Sequence, residues 1–323
     1  NNFGLTDETL SSAIYKFLLQ VDIAHSSRIT YKRGLSKFSE WCKSRYKDDR
    51  YTLKREDILE YKFFLDTLNL QPFTKSLYLV CLRQFFTWTE SVLLYPNIAK
   101  GIKGSKKITK SHHKDSIQIE SIKKLMESID ISYLYGLRDK LLISMLLHTG
   151  MRLIEVSGIL MSDIEKSSSS KNYKIWIKGK GRDGKDAFVV LLPEISKSID
   201  QYIKQREQET GRIVKQNDFL FVPHGTNGKD RSNKRMSTQS LSRIIRLRME
   251  YAGIKHKRVS AHSLRHTFGV LAIQGGSSLY ELQLAMRHSS PSTTQIYLGD
   301  IEKMKREEAS PEHKVGAALK GII

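Results

Sequence analysis

YKIWIKGKGRDGKDAFVVLL, residues 173–192, is the stretch whose reading decides the fold. Its middle, G-K-G-R-D-G-K at 179–185, matches the opening of a phosphate-cradling P-loop. That motif next requires Ser or Thr to hold magnesium, and here Asp186 follows. A P-loop also runs from a strand into a helix, whose N-terminus binds phosphate. This one runs into AFVVLL, a second run of β-branched and aromatic residues. The stretch therefore reads as an antiparallel hairpin with a long glycine-rich turn. Lys178, Lys180, Arg182 and Lys185 sit on or beside that turn, placed to reach a groove or a phosphate.

Outward from the hairpin, almost everything else has helical periodicity. Toward the C-terminus helices fit 194–208, 237–251, 260–274 and 278–287. Toward the N-terminus they fit 118–129 and 132–148, then a short helix begins near Arg152. The 132–148 segment is apolar nearly all round, as a central buried helix should be. Before it lies GIKGSKKITKSHHKDS, 101–116, with five lysines, two glycines and almost no apolar content. It reads as a basic interdomain linker, and Lys103, Lys106, Lys107 and Lys110 suit a phosphate backbone. Residues 1–100 read as a small helical domain. Its helices fit 26–46, capped by Ser26 or Ser27, then 54–68 and 74–93. Val92 is expected to face inward on the last of these. The fold class is thus mainly α with a small antiparallel β-sheet, in two domains.

Composition narrows the partners. The 323 residues carry 54 Lys and Arg against 34 Asp and Glu, a formal charge of +20. A chain so basic repels itself when compact, which points to a polyanionic partner, nucleic acid first and an anionic membrane surface second. The most apolar run, LLISMLLHTGM at 141–151, is broken by Ser144, His148 and Thr149. It is also shorter than the ~20 apolar residues a bilayer span needs. No secretory signal opens the chain, and it begins at Asn1 rather than Met, so further residues are expected before it. Cys42 and Cys81 lie in helical apolar patterns and read as core thiols of a reducing compartment. No Cys/His cluster has zinc spacing, and neither a metal nor an organic cofactor is expected.

Three further stretches stand out. HTGMRLIEV, 148–156, puts Arg152 directly after a Thr-Gly helix break, with Glu155 three residues on. SAHSLRHTF, 260–268, puts His262 and Arg265 on one face of a helix that Ser260 can cap, with His266 adjacent. LQLAMRHSSPSTTQIYLGD, 282–300, puts His288 nine residues before Tyr297 across a Ser-Ser-Pro turn. Taken singly, each of these residues suits a structural role.

In this order, Arg, hairpin Lys, His-x-x-Arg, His and Tyr resemble the tyrosine recombinase or lambda-integrase-like family, closest to its Xer-like branch. The resemblance spans nearly the whole chain. It implies a C-shaped clamp, with a helical SAM-like core-binding domain at 1–100 and a catalytic domain at 117–323. It makes Tyr297 the nucleophile, with Arg152, Lys180, His262, Arg265 and His288 as its catalytic partners. Glu155 and His266 would support them, Glu155 by orienting Arg152. The chemistry explains the residue types. Guanidinium forks bind the non-bridging oxygens of an anionic phosphodiester and stabilise its transition state. A phenol of pKa ~10 needs a positive field and a proton acceptor, here His262. The hairpin lysine protonates the leaving 5′-oxygen.

Two departures from the family bear on this. Arg287 precedes His288 where relatives often have glycine, which alters the turn or adds a DNA contact. The hairpin turn is longer than the usual form, so Lys185 stands beside Lys180 as the alternative general acid. The implied partners are double-stranded DNA with an inverted-repeat core site and a homotetramer formed as a dimer per site. Residues at about 301–323 would dock in trans, and a DNA translocase such as FtsK would be a regulator in the bacterial cytoplasm. The rivals are a mobile-element integrase, a type IB topoisomerase-like enzyme, and a helix-turn-helix binder built from 260–287.

Overall fold

The computed structural model describes residues 5–46, 50–104, 115–166, 172–178, 184–185, 187–224, 234–254, 259–288, 290–297 and 299. The chain divides into two compact units, Asn1–Ile108 and Thr109–Ile323.

The first unit opens with β1 (Leu5–Thr6), paired antiparallel with β2 (Arg50–Tyr51). Its helices are α1 (Asp7–Gln20), α2 (His25–Arg45), α3 (Arg55–Thr67) and α4 (Pro72–Ser91). Helix α1 adds to the sequence expectation. Leu10, Ala13, Ile14, Phe17 and Leu18 bury one helical face, and the Thr6 hydroxyl accepts from the Thr9 N–H at 3.1 Å. Helix α2 begins one residue earlier than expected, with Ala24 rather than Ser26 or Ser27 as its N-cap. Helix α4 starts on Pro72, whose fixed φ suits a first helical position, and ends at Ser91. Val92 is therefore exposed rather than inward, because the chain then turns through Leu93 at φ 55°.

The core of this unit is aromatic. Phe38 meets Tyr61 edge-on at 5.0 Å and Phe85 meets Phe86 at 5.3 Å, with Trp41 and both cysteines packed in. Ala99 and Ile102 still belong to this core, and the Arg83 guanidinium donates to the Ile102 carbonyl. The expected linker thus gives its first residues to the first unit, because Ile102 has an apolar site to fill. Lys106, Lys107 and Lys110 lie outside the described residues, and Lys103 is exposed.

The second unit is built around α6 (Leu134–Thr149), buried on nearly every side and packed against α8 (Pro193–Thr210) and α10 (Ala261–Gln274). Helix α5 (Ile119–Glu127) precedes it and α7 (Leu153–Ser157) follows. Gly150 ends α6 in the left-handed conformation, φ 57°, the usual glycine stop. A Cβ there would come within 2.4 Å of the Phe268 ring, so the close approach of α6 to α10 also requires glycine.

A three-stranded antiparallel sheet has the order β3-β4-β5, from β3 (Ile164–Lys166), β4 (Tyr173–Ile177) and β5 (Ala187–Val190). The hairpin is β4–β5, with Trp176 opposite Phe188. Ile175, Ile177 and Val189 alternate inward to the core. Strand β3 adds to the expected hairpin; three residues are too few to show a period. Helix α9 (Thr238–Tyr251) and α11 (Leu279–Met286) complete the unit, with residues 291–297 helical. The chain enters this core at Ile117, whose N–H donates to the Thr267 hydroxyl on α10 at 2.8 Å.

Helices α10 and α11 do not form a free helix-turn-helix reader. The second helix of such a pair reads the groove, and α11 exposes the apolar Tyr280 and Leu284 while its end is tied to Arg265 through the Met286 carbonyl. Among the described residues no helix is long and apolar enough to cross a membrane.

Candidate active site

The site forms where the ends of α6 and α11 and the start of α7 meet the buried face of α10. Arg265 is 3% exposed and its two Nη groups face helix ends. Nη1 donates to the Gly150 carbonyl and Nη2 to the Met286 carbonyl at 2.7 Å. These carbonyls belong to the unpaired ends of α6 and α11, so one side chain ties both termini into place. Burial first, then Arg152 and Arg287 nearby, lowers the Arg265 guanidinium pKa to about 10.

Arg152 is the N-cap of α7. Its own N–H donates to Glu155 Oε2 at 2.7 Å and its Nη1 to Glu155 Oε1 at 3.1 Å. Its Nη2 donates to the Arg287 carbonyl at 3.2 Å. Glu155 is buried, and Arg287 Nη2 also donates to its Oε2, at 2.9 Å. Burial alone would raise that carboxyl; Arg287 foremost and Arg152 outweigh it and hold the pKa below its ordinary value. Glu155 is thus an ionised clamp between two arginines.

Tyr297 is buried in a small cluster with Val270, Leu282 and Met286. Its ring lies 5.1 Å from that of His266 and 6.4 Å from that of His288, nearly parallel to the latter at 18°. Gly269 makes room for it, since a Cβ there would come within 2.3 Å of the tyrosine Cε1. His288 Nδ1 is hydrogen-bonded to the Thr294 hydroxyl at 2.9 Å, which fixes the imidazole plane. His262 lies exposed on the first turn of α10, one turn from Arg265.

Arg152, Glu155, Arg265, His266, His288 and Tyr297 thus come together from segments far apart in sequence. Arg287 joins them, its guanidinium turned inward onto Glu155 rather than outward for a DNA contact. In the hairpin, Lys185 donates to Asp163, whose Oδ2 also accepts the Leu160 N–H at 2.7 Å. Lys178 is exposed at the end of β4, and Lys180 and Arg182 lie outside the described residues. Sequence reading missed Thr294 and Arg235. The latter closes the end of α7 through the Ser157 carbonyl at 3.1 Å and the Ile154 carbonyl at 3.3 Å. Neither position had a spacing signal. Among the described residues no three His, Cys, Asp or Glu side chains gather as metal ligands.

Arginine forks held by an ionised carboxylate, next to a histidine-flanked tyrosine, can grip a phosphodiester and attack it. The chain belongs to the phage integrase family, whose model matches residues 116–303. It is a tyrosine recombinase, an enzyme that cleaves and rejoins DNA. Within that class it is similar to the Xer recombinases. Tyrosine recombinase XerD of Listeria innocua serovar 6a is 24% identical over 299 residues, covering 90% of this chain and 93% of the relative. The fold matches that of the XerH site-specific recombinase bound to a palindromic difH substrate in a post-cleavage complex. There the TM-score is 0.71 at 23% identity, over 95% of this chain and 85% of that one. It also matches a lambda integrase tetramer bound to a Holliday junction, with a TM-score of 0.64 at 13% identity, over 91% and 77% of the two chains.

Proposed function

We propose that this protein is a site-specific recombinase of Xer type in which Tyr297 is the nucleophile. One observation carries the reading. Arg152, Arg265 and Arg287 crowd a single carboxylate, and the next residue, His288, stacks on Tyr297. Three guanidiniums against one carboxylate leave a surplus of positive charge for an anionic phosphodiester.

Arg152 and Arg265 hold the non-bridging oxygens of the scissile phosphate, with His288 beside them. The Tyr297 oxygen bonds to phosphorus as the bond from phosphorus to the 5′-oxygen breaks. The phenol proton passes to His262. The leaving oxygen takes a proton from the hairpin lysine, Lys180 or Lys185. The products are a 3′-phosphotyrosine and a free 5′-hydroxyl. Attack by a 5′-hydroxyl from a second duplex reverses the step with exchanged strands, because the covalent bond keeps the energy of the phosphodiester.

Exchange between duplexes implies four active sites, two on each inverted-repeat site, passing through a Holliday junction. The lambda integrase tetramer on such a junction supports that assembly. The basic segment at 101–116 would follow the duplex backbone, and the segment at about 301–323, outside the described residues, would dock on the neighbouring protomer. Similarity to XerD over nearly the full length of both chains favours chromosome dimer resolution in the bacterial cytoplasm, under a DNA translocase such as FtsK. Integration of a mobile element uses the same residues and is the second reading, favoured by the shared fold of lambda integrase.

Covalent trapping tests the proposal. On a nicked suicide duplex carrying its site, wild type should give a protein–DNA band on a denaturing gel, and Tyr297→Phe should give none. A band that persists in the Phe variant assigns the nucleophile elsewhere. No wild-type band, on a duplex the protein binds, removes the cleavage reading altogether.

A further inference from the structure

Arg287 has three features that a surface contact does not explain. Its backbone is left-handed, φ 54° and ψ 49°, at the end of α11. Among the described residues only it and Leu93 are non-glycine residues with positive φ. A side chain is costly there and glycine is the ordinary occupant. Second, the side chain does not reach for water. It is 14% exposed, its Nη1 donates to the Ala285 carbonyl at 2.6 Å, and its Nε is buried without an acceptor among the described residues. Desolvating a guanidinium this far is unfavourable unless a charged partner compensates, and that partner is Glu155. Third, the same residue reaches Arg152 twice, through Glu155 and through its own carbonyl.

From these features, and resting on the cleavage reading above, we infer that Arg287 is a positioning residue for DNA cleavage. As the second cation on Glu155, it fixes how Arg152 is presented to the scissile phosphate. Without its side chain Glu155 keeps only its two bonds from Arg152, so the carboxylate that sets the angle of that guanidinium is held from one side only. The site also loses one positive charge while keeping its negative one. The left-handed backbone serves the same end by aiming the residue 287 carbonyl at Arg152.

Arg287→Gly separates the parts. Glycine accepts the left-handed backbone, so the carbonyl stays in place and only the side chain is lost. Covalent-complex formation at saturating suicide duplex should slow by about 10–100-fold, the scale of a misplaced catalytic group. Affinity for the uncleaved site should change less than about threefold, since no direct phosphate contact is removed. Melting temperature should hold or rise. Arg287→Lys, which keeps the charge without the planar fork, should recover part of the rate.

The pH profile gives a readout that a merely structural role would not move. Glu155 is faced by Arg152, Arg287 and Arg265, with Arg235 bound to the backbone on either side of it. Losing Arg287 removes the foremost influence that lowers its pKa, so the acid limb of the cleavage rate should shift to higher pH in Arg287→Gly. A glycine variant that cleaves at the wild-type rate with an unmoved acid limb overturns the inference and leaves Tyr297 as the nucleophile. A wild type that binds the duplex and forms no covalent product overturns both.

Discussion

The two units bury different chemistry. In the first, Thr89 is the single polar residue among the described buried ones, and the core sets Phe, Trp, Tyr and thiol groups among Leu and Ile side chains. In the second, Arg138, Asp139, Glu155, Asp163, Arg206, Asp218 and Arg265 are all buried. Burying a charge is costly unless it is paired, and an apolar core of equal volume is often the more stable choice. The first unit made that choice throughout. The second gives it up in several places, and one of them, where α6, α7, α10 and α11 meet around Glu155 and Arg265, is where the candidate chemistry lies. Arg138 and Arg248 on Asp139 show that some of its buried charge has a purely architectural use. Buried charge marks a region for inspection, and only the company of Tyr297 and His288 marks the site.

Arg265→Ala should produce the largest effect and would break the comparison if it did not. Cleavage should fall about 10²–10³-fold, as for loss of a transition-state donor. The second unit should also melt earlier, because two helix-end carbonyls lose their donor. Loss of cleavage at unchanged melting temperature would mean that the tie between α6 and α11 is energetically idle.

Next in size is Phe38→Ala, a cavity among Trp41, Tyr61 and Phe86. It should cost about 3–5 kcal/mol, read as an earlier unfolding transition for the first unit by calorimetry. DNA binding should weaken, while the cleavage rate at saturating DNA should hold. The smallest effect sharpens the contrast between the two strained positions. Leu93 is 89% exposed, so its left-handed backbone holds no ion pair in place. Leu93→Gly should stabilise the first unit by up to about 1 kcal/mol, with cleavage unchanged. The same change at Arg287 should leave stability intact and slow the reaction.

Much of this was legible in the sequence because periodicity and reactive groups are local signals. The apolar spacing of α3, α6 and α8 gave their bounds within two residues, and AFVVLL after G-K-G-R-D-G-K excluded a P-loop without any coordinates. What escaped had no local signal. Strand β3 exists because β4 offers it a ladder, with Ile164 opposite Ile175. Helix α1 carries Ser11, Ser12 and exposed Tyr15 and Leu19 on its outer faces, which blurs its apolar stripe. The direction of Arg287 was beyond any pattern, because a left-handed residue at a helix end can send its side chain inward or outward. Only Glu155, more than a hundred residues earlier, settles which. His288 needs Thr294, and that pairing depends on a turn whose geometry spacing alone does not fix.

The hydrogen bond from the Ile117 N–H to the Thr267 hydroxyl has a mechanical consequence. The polypeptide joins the second unit's core by gripping the helix that carries Arg265, two residues from that guanidinium, rather than by resting on a loop. A displacement of Ile117 is therefore passed to α10 as well as along the chain into α5. The strand of protein that leads into the unit acts as a tendon on the part of the site that must hold its shape most closely.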